Sequence, residues 1–411
     1  MKFNIHMTFT LGIIGKPSSG KTTFLNASCL TNAKVSELPF TTIDPNRGVA
    51  YVKTNCVCKE LNVEDNPKNS TCIDGFRFIP INMLDVAGLV PDAHKGKGLG
   101  NKFLNDLIQA DVLLHIIDIS GSLDKSGNIV SMGINDPLED ILFLDTEINL
   151  WFKKIIERED WNKFTKIMVT ERRKVVEGLF ERLSGMKITK NHIIHSLKDS
   201  KLEEKSPSIW TEQDLLLFSE TLRKVAKPTL IVANKIDKKT GEINFKELKK
   251  RYDGPIIPCS ALAEHLLREY HEKKVIKYLP GSNDFTIINK ERLTDNELEA
   301  LEKIKKVILV PFNGTGVQQV LNYASNNIAN QICVYPVSDA NTYSDNKENI
   351  LPDAFLIKKG TKLRDFVRDK IHSDLAKNFM FGIDAKSKKR LGENYELQNK
   401  DVIKIVVSSK K

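Results

Sequence analysis

The chain has 411 residues, a length that suggests two to three domains rather than one core. With 41% hydrophobic and 28% charged residues it falls in the globular range. No apolar run reaches the roughly 18 residues of a membrane span, and the N-terminal MKFNIHMTFTLGIIG lacks the shape of a signal peptide, so a cytoplasmic protein with no membrane segment is expected.

The formal net charge is +9, and residues 353–411 hold 15 Lys/Arg against 8 Asp/Glu, an excess of +7. Such a basic module points to a polyanionic partner or to a solvated Lys-rich surface. Six cysteines are too sparse for a disulfide framework. Cys56, Cys58 and Cys72 are spaced as three ligands of a zinc site, but a structural site usually takes four and no neighbouring His or Cys supplies the last. Reduced, free thiols are therefore expected there.

In chain order, the apolar run 8–14 suits a buried strand, and TTFLNASCL behind it suits the first turns of a helix. Between them GKPSSGKT reads G-x-x-x-x-G-K-T, the phosphate-cradling P-loop. Gly15 and Gly20 let the backbone wrap so that N–H groups of Lys16, Ser18, Ser19 and Thr23, in the loop that also contains Pro17 (which has no N–H), line an anion site at the helix N-terminus. Lys21 supplies an ammonium to the β- and γ-phosphates, which makes it a catalytic candidate, and the Thr22 hydroxyl a ligand for Mg²⁺.

ELPFTTIDPNRG reads as a loop, in which a hydroxyl of Thr41 or Thr42 can complete the Mg²⁺ shell; either threonine taken alone is an ordinary turn residue. After a β-rich run, residues 59–75 read as a polar loop. FRFIPINML then runs as a strand into D-V-A-G, where Asp85 can hold Mg²⁺ through water and the Gly88 N–H can meet the γ-phosphate. DVLLHIIDIS suits a parallel strand buried on both faces.

Residues 138–225 show helical spacing, including a segment opened by a Thr211 cap, and predict three to five inserted helices. The sheet pattern resumes with PTLIVANKID and GPIIPCSA, followed by helices from His265 and Thr294, a strand at VILVPF and a closing helix over 316–329. The last ~80 residues form a small mixed β unit. Asn234, Lys235 and Asp237 make N-K-x-D at a strand's C-terminal end, where open α/β sheets bind ligands. A carboxylate at Asp237 accepts from both N1–H and the exocyclic amine of guanine, whereas adenine leaves it mispaired. At Ser260-Ala261, after the next strand, a backbone N–H can reach the base carbonyl.

Taken in order, GKPSSGKT, TT, DVAG, NKID and SA resemble the signature elements of translation-factor-type GTPases. PFTTIDPNRG together with DVAGLVPDAHKGKGLGNKFL is similar to the Obg family, and the C-terminal unit, with ELQNKDVIKI, resembles the TGS domain, a ubiquitin-like β-grasp module. The whole looks like the Obg-like ATPase branch, in an archaeal/eukaryotic subgroup that keeps N-K-x-D.

The implied fold is α/β: a P-loop NTPase G domain over 1–120 and 226–330, a helical insertion over 121–225 and a TGS domain over 331–411. The implied ligands are GTP/GDP and Mg²⁺, with RNA or the ribosome as partner through the TGS domain and the insertion. Better-known members of the branch have a degraded N-K-x-D and prefer ATP; the intact motif here implies GTP. Ser18 stands where cation-stimulated relatives carry Asn. Leu89 stands where Ras-like enzymes carry a water-positioning Gln, which implies slow turnover. His94 matches the family position suspected of catalysis, in a Gly-rich stretch (Gly96, Gly98, Gly100) suited to a switch. Competing readings are an ATP-preferring enzyme, a nucleotide-sensing module with negligible hydrolysis, and a small-molecule kinase, the last opposed by the N-K-x-D.

Overall fold

The structure, a computed structural model, describes residues 9–29, 47–86, 106–158, 160–171, 174–371 and 373–408. Thr41, Thr42, Gly88, Leu89, His94 and the glycines at 96, 98 and 100 lie outside the described residues.

The strands in chain order are β1 (Thr10–Ile14), β2 (Arg47–Asn55), β3 (Thr71–Ile73), β4 (Phe76–Asp85), β5 (Val112–Asp118), β6 (Thr229–Asn234) and β7 (Ile256–Pro258). They continue with β8 (Ile276–Lys277), β9 (Thr286–Ile287), β10 (Gln331–Val337), β11 (Phe355–Lys358), β12 (Phe379–Asp384), β13 (Arg390–Leu391) and β14 (Val402–Val407). The chain forms two compact units. One joins Thr10–Ala27 to Met83–Val317; the other joins Ser28–Asn82 to Gln318–Lys411.

In the first unit the end of β4, then β1, β5, β6 and β7, lie side by side, with β1/β5, β5/β6 and β6/β7 parallel. Every residue of β5 is buried, as a strand covered on both faces must be. Five α-helices of the predicted insertion (Pro137–Glu157, Trp161–Thr170, Val175–Leu183, Lys190–Asp199 and Glu212–Ala226) pack their apolar stripes together. Their core is continuous with one face of the sheet: Phe152, Leu179 and Phe218, all fully buried, share one cluster with Ile14, Val86 and Leu113. Local chemistry sets the helix starts. Thr211 caps its helix through a reciprocal bond with Asp214, and Thr294 does the same with Glu297 for Asp295–Ile304.

In the second unit β3 pairs antiparallel with β4, and a five-stranded sheet runs β11-β10-β14-β12-β13. A helical segment, Leu363–Phe366, packs on that sheet through Leu363 and Phe366 beside Val334 and Ile403.

Two expectations are corrected. Residues 59–75 are not all loop: a helical turn, Cys58–Leu61, and β3 lie within or against them. The strand expected at VILVPF is helical, as Asp295–Ile304 runs on through a wide turn over Lys305–Leu309 into Val310–Phe312. The reason is packing. Ile304, Ile308 and Leu309 are buried at helical spacing with Leu301 and Leu267, and this overrides the β preference of the valines.

The two geometries differ in which side chains share a face. In a strand residues 308 and 310 point the same way, but here Ile308 is 3% exposed and Val310 66%. Ile308→Ala should therefore cost about 2–5 kcal/mol in denaturant unfolding, and Val310→Ala no more than about 0.5 kcal/mol. Equal destabilisation at the two positions would restore the strand.

Candidate nucleotide site

The P-loop joins β1 to the helix Lys21–Ser28. Gly15 (φ 145°) and Gly20 (φ 98°) occupy backbone conformations that favour glycine. A Cβ on Gly15 would collide with the Ile116 carbonyl oxygen, and one on Gly20 with Asn234 Nδ2. Ser18 also has positive φ, 62°, so the loop holds one ordinary residue in the left-handed region.

Inside the loop, Lys21 Nζ donates to the Lys16 carbonyl at 2.9 Å. Burial draws Lys21 below the ordinary lysine range, opposed by the Asp85 carboxylate. Asp85, at the end of β4, accepts from Thr22 Oγ1 at 3.5 Å. Burial pushes Asp85 up, countered by Lys21 and Thr22. Its Oδ1 is buried with no hydrogen-bond partner among the described residues, as is Ser19 Oγ.

A buried carboxylate oxygen without a donor, beside a hydroxyl and an ammonium and above a glycine cradle, is a donor set fitted to a hydrated divalent cation and a phosphate chain. Pro17 and Thr23 flank this cradle, each partly exposed.

The Lys16 side chain points away from the cradle. Only 6% exposed, it bonds the Leu123 and Asp124 carbonyls and forms an ion pair with Asp140 Oδ1 at 2.8 Å. The ammonium therefore faces the helical segment, and only the Lys16 backbone belongs to the cradle. A buried lysine needs an anion, and Asp140 lies too far along the sequence for pattern reading to pair the two.

The N-K-x-D segment sits at the C-terminal end of β6, next to the P-loop. Asn234 is 3% exposed. Its Nδ2 donates to the Ser19 carbonyl at 2.9 Å, and its Oδ1 accepts from the Ala261 N–H at 3.1 Å. One amide thus joins three loops. Lys235, with φ 65°, extends to Asp118 Oδ2 at 3.0 Å.

Asp118 belongs to none of the motifs read from the sequence. It is 1% exposed and accepts from the Ser120 N–H, Ser120 Oγ, Ser122 Oγ and Lys235. Burial pushes its carboxyl up, but hydrogen bonds from Ser120, Ser122 and Lys235 outweigh this and hold it below the ordinary range. The signal available was the D-x-S-x-S run at the end of a buried strand.

Asp237 is half-buried, and its Oδ1 accepts from Ser260 Oγ at 2.8 Å. The Ser260 N–H donates to the Thr315 carbonyl and the Ala261 N–H to Asn234, so both backbone donors expected to reach a base are engaged in holding the loop. Ser260 acts here through its hydroxyl, which orients Asp237.

A glycine phosphate cradle, a D-x-x-G carboxylate and an N-K-x-D loop meeting at one end of a parallel sheet define a P-loop GTPase-type fold. Residues 10–149 match the family model "50S ribosome-binding GTPase", residues 232–339 the "Obg-like GTPase YGR210-like, G4 motif-containing domain", and residues 347–407 the TGS domain. The chain is 43% identical over 401 residues to a protein of Methanocaldococcus jannaschii named "Uncharacterized GTP-binding protein MJ1332", covering 97% of this chain and 99% of that one. It is 30% identical over 278 residues to the "Ribosome-binding ATPase YchF" of Bacillus subtilis, covering 65% and 70%. It superposes with a TM-score of 0.76 on the crystal structure of a GTP binding protein from Pyrococcus horikoshii OT3, at 34% identity and covering 97% of this chain and 100% of that one. The chain belongs to the Obg-like GTPase family, with a G domain and a C-terminal TGS domain.

The close approach of Gly20 to Asn234 yields a specific expectation. Gly20→Ala should destabilise the fold by about 1–3 kcal/mol, from the left-handed backbone together with the collision. In the double variant with Asn234→Ala the destabilisation should be less than the sum of the two single effects, because the colliding amide is gone. Additive effects in urea unfolding would show that the two loops are not packed together.

Proposed function

We propose that this protein is a Mg²⁺-dependent GTP-binding switch that hydrolyses GTP slowly and acts with RNA or the ribosome in the cytoplasm. The observation that carries the reading is the placement of Asp237. Its carboxylate is half-exposed, oriented by Ser260, on a loop that Asn234 ties to the phosphate cradle. A fixed carboxylate accepts two donors from guanine and opposes the acceptor N1 of adenine. In this reading Lys235 lies along the P-loop with its ammonium held by Asp118.

In this reading Gly15, Lys16, Ser18, Ser19 and Gly20 hold the phosphates through backbone N–H groups, and Pro17, which has no N–H, only lines the loop. Lys21 leaves the Lys16 carbonyl for the β- and γ-phosphates, and Thr22, with Thr42, holds the cation, with Asp85 outside it. When bound, Mg²⁺ neutralises charge on the β- and γ-oxygens. Thr41, Gly88 and His94 complete the γ-phosphate side. We also propose the three-part division: a G domain over 1–120 and 226–330, an insertion over 121–225 and a TGS domain over 331–411.

The RNA or ribosome partner is supported by the name of the Bacillus subtilis relative and by the excess positive charge of residues 353–411. Part of that charge is already neutralised, since Arg364 pairs with Glu393, and Lys386 and Lys400 with Glu60. Lys358, Lys359 and Lys389 are exposed. Among the described residues no helix is long and apolar enough to cross a membrane.

Asp237→Asn tests the base reader. Replacing a charged acceptor, which takes two donors, should weaken GTP binding by about 1.5–3 kcal/mol, roughly 10- to 150-fold. Binding of xanthosine triphosphate should improve, because its 2-oxo group accepts from the new amide. An unchanged GTP affinity in equilibrium titration would overturn the assignment. Lys358→Ala/Lys359→Ala should weaken RNA binding and flatten its salt dependence by about one unit of log–log slope for each phosphate that these lysines neutralise. RNA binding indifferent to salt would remove that partner.

A further inference from the structure

The three cysteines read from the sequence as free thiols meet in the second compact unit. Cys56 follows β2, Cys58 opens the helical turn Cys58–Leu61, and Cys72 lies on β3. A fourth group joins them: Asp65, from the loop between the turn and β3. One ligand atom from each of Cys56, Cys58, Asp65 and Cys72 lies within 4.8 Å of the other three. A Cys/His spacing pattern does not contain this fourth donor, because it is a carboxylate brought in by a fold-back of the loop.

We infer that Cys56, Cys58, Asp65 and Cys72 form a structural metal site of the zinc class, separate from the nucleotide site.

The distances match a coordination tetrahedron. With Zn–S bonds of ~2.3 Å, two sulfurs on one ion lie ~3.8 Å apart; Cys58 Sγ and Cys72 Sγ are 3.9 Å apart. A disulfide requires ~2.05 Å, and all three cysteines are free. A sulfur and a carboxylate oxygen on one zinc lie ~3.5 Å apart; Cys56 Sγ and Asp65 Oδ2 are 3.2 Å apart. Four donors converge from separate chain positions, and the ion pair of Asp65 with buried Arg77 accounts for the carboxylate but not for three sulfurs gathered beside it.

The outer partner is also present. Arg77, on β4, is fully buried and donates through Nη2 to Asp65 Oδ2 at 2.9 Å and to the Leu351 carbonyl, and through Nη1 to Ser70 Oγ. Ligating carboxylates are held this way. The charges fit as well: one Zn²⁺ with three thiolates and one carboxylate carries a net charge of −2, which the guanidinium partly offsets. Binding releases three thiol protons to solvent, so no oxidant or reductant is involved.

The three thiolates decide the metal class, because soft donors select zinc over magnesium or calcium. With four protein donors the site is closed, which marks a structural rather than a catalytic role. Its consequence is local. Cys56, Cys58 and partly buried Cys72 share a cluster with Cys333, Tyr335 and Val402 of the C-terminal sheet. The loop between the turn and β3 is bound to the same region through Asn69, whose amide bonds the Ala354 backbone twice. A metal there would fix the 56–75 segment as the seat of that sheet.

The test uses the full chain, purified without chelator from zinc-supplemented culture. About one zinc per chain is expected by elemental analysis, with an organomercurial releasing it as about three thiols react. Cys58→Ser should lower the metal content at least tenfold. If that variant fails to fold, Co²⁺ added to the reduced, metal-stripped chain decides: intense thiolate-to-cobalt charge transfer with tetrahedral ligand-field bands is expected. Substoichiometric zinc together with no charge-transfer band would overturn the site, as would a disulfide among these cysteines in protein isolated without oxidant. GTP binding measured on the same sample separates this outcome from failure of the nucleotide assignment.

Discussion

The structure of the site depends on one buried amide. Asn234 gives its nitrogen to the P-loop and its oxygen to the loop after β7, so the phosphate cradle and the base loop are spaced by a single rigid side chain. A buried amide deprived of either partner would leave a polar atom unpaired at about 1–3 kcal/mol, which fixes its orientation. Gly20 follows from the same constraint, since any side chain there would occupy the place of the amide. The glycine that the sequence pattern assigns to backbone freedom is also demanded by a neighbour more than 200 residues away.

A second buried interaction connects the cradle to the helical segment. Lys16 reaches from the P-loop to Asp140 near the start of Pro137–Glu157 and to two carbonyls of the preceding loop. Gly127 of that loop lies against Pro17, where a Cβ would meet the Pro17 carbonyl oxygen at 2.9 Å. The helices therefore share both a hydrophobic core and an ion pair with the element that would hold phosphates. A shift of the P-loop backbone would be felt at the helical segment through packed, hydrogen-bonded atoms.

What the sequence made legible was local. The P-loop, D-x-x-G and N-K-x-D are runs of a few residues whose backbone geometry and chemistry are specified within each run. The helix caps at Thr211 and Thr294 are equally local. The departures share a different cause. The helix through Val307–Phe312 is decided by burial of Ile308 and Leu309 against Leu267, not by its own composition. Lys16 owes its role to Asp140 and Asp65 to Arg77, on other elements; Asp118 has local serine donors, but its ion pair with Lys235 spans 117 residues. The backbone donors of Ser260 and Ala261, free for a base as far as the sequence shows, are taken by Thr315 and Asn234 in the fold.

The central claim is that Asp237 makes this Obg-like GTPase family member a reader of guanine, although some relatives are named as ATPases. Direct competition between GTP and ATP for the unmodified full chain, followed by calorimetry in the presence of Mg²⁺, tests it most directly. GTP should win by at least about tenfold, the value of one well-placed charged hydrogen bond. Equal affinities, or a preference for ATP, would contradict the account.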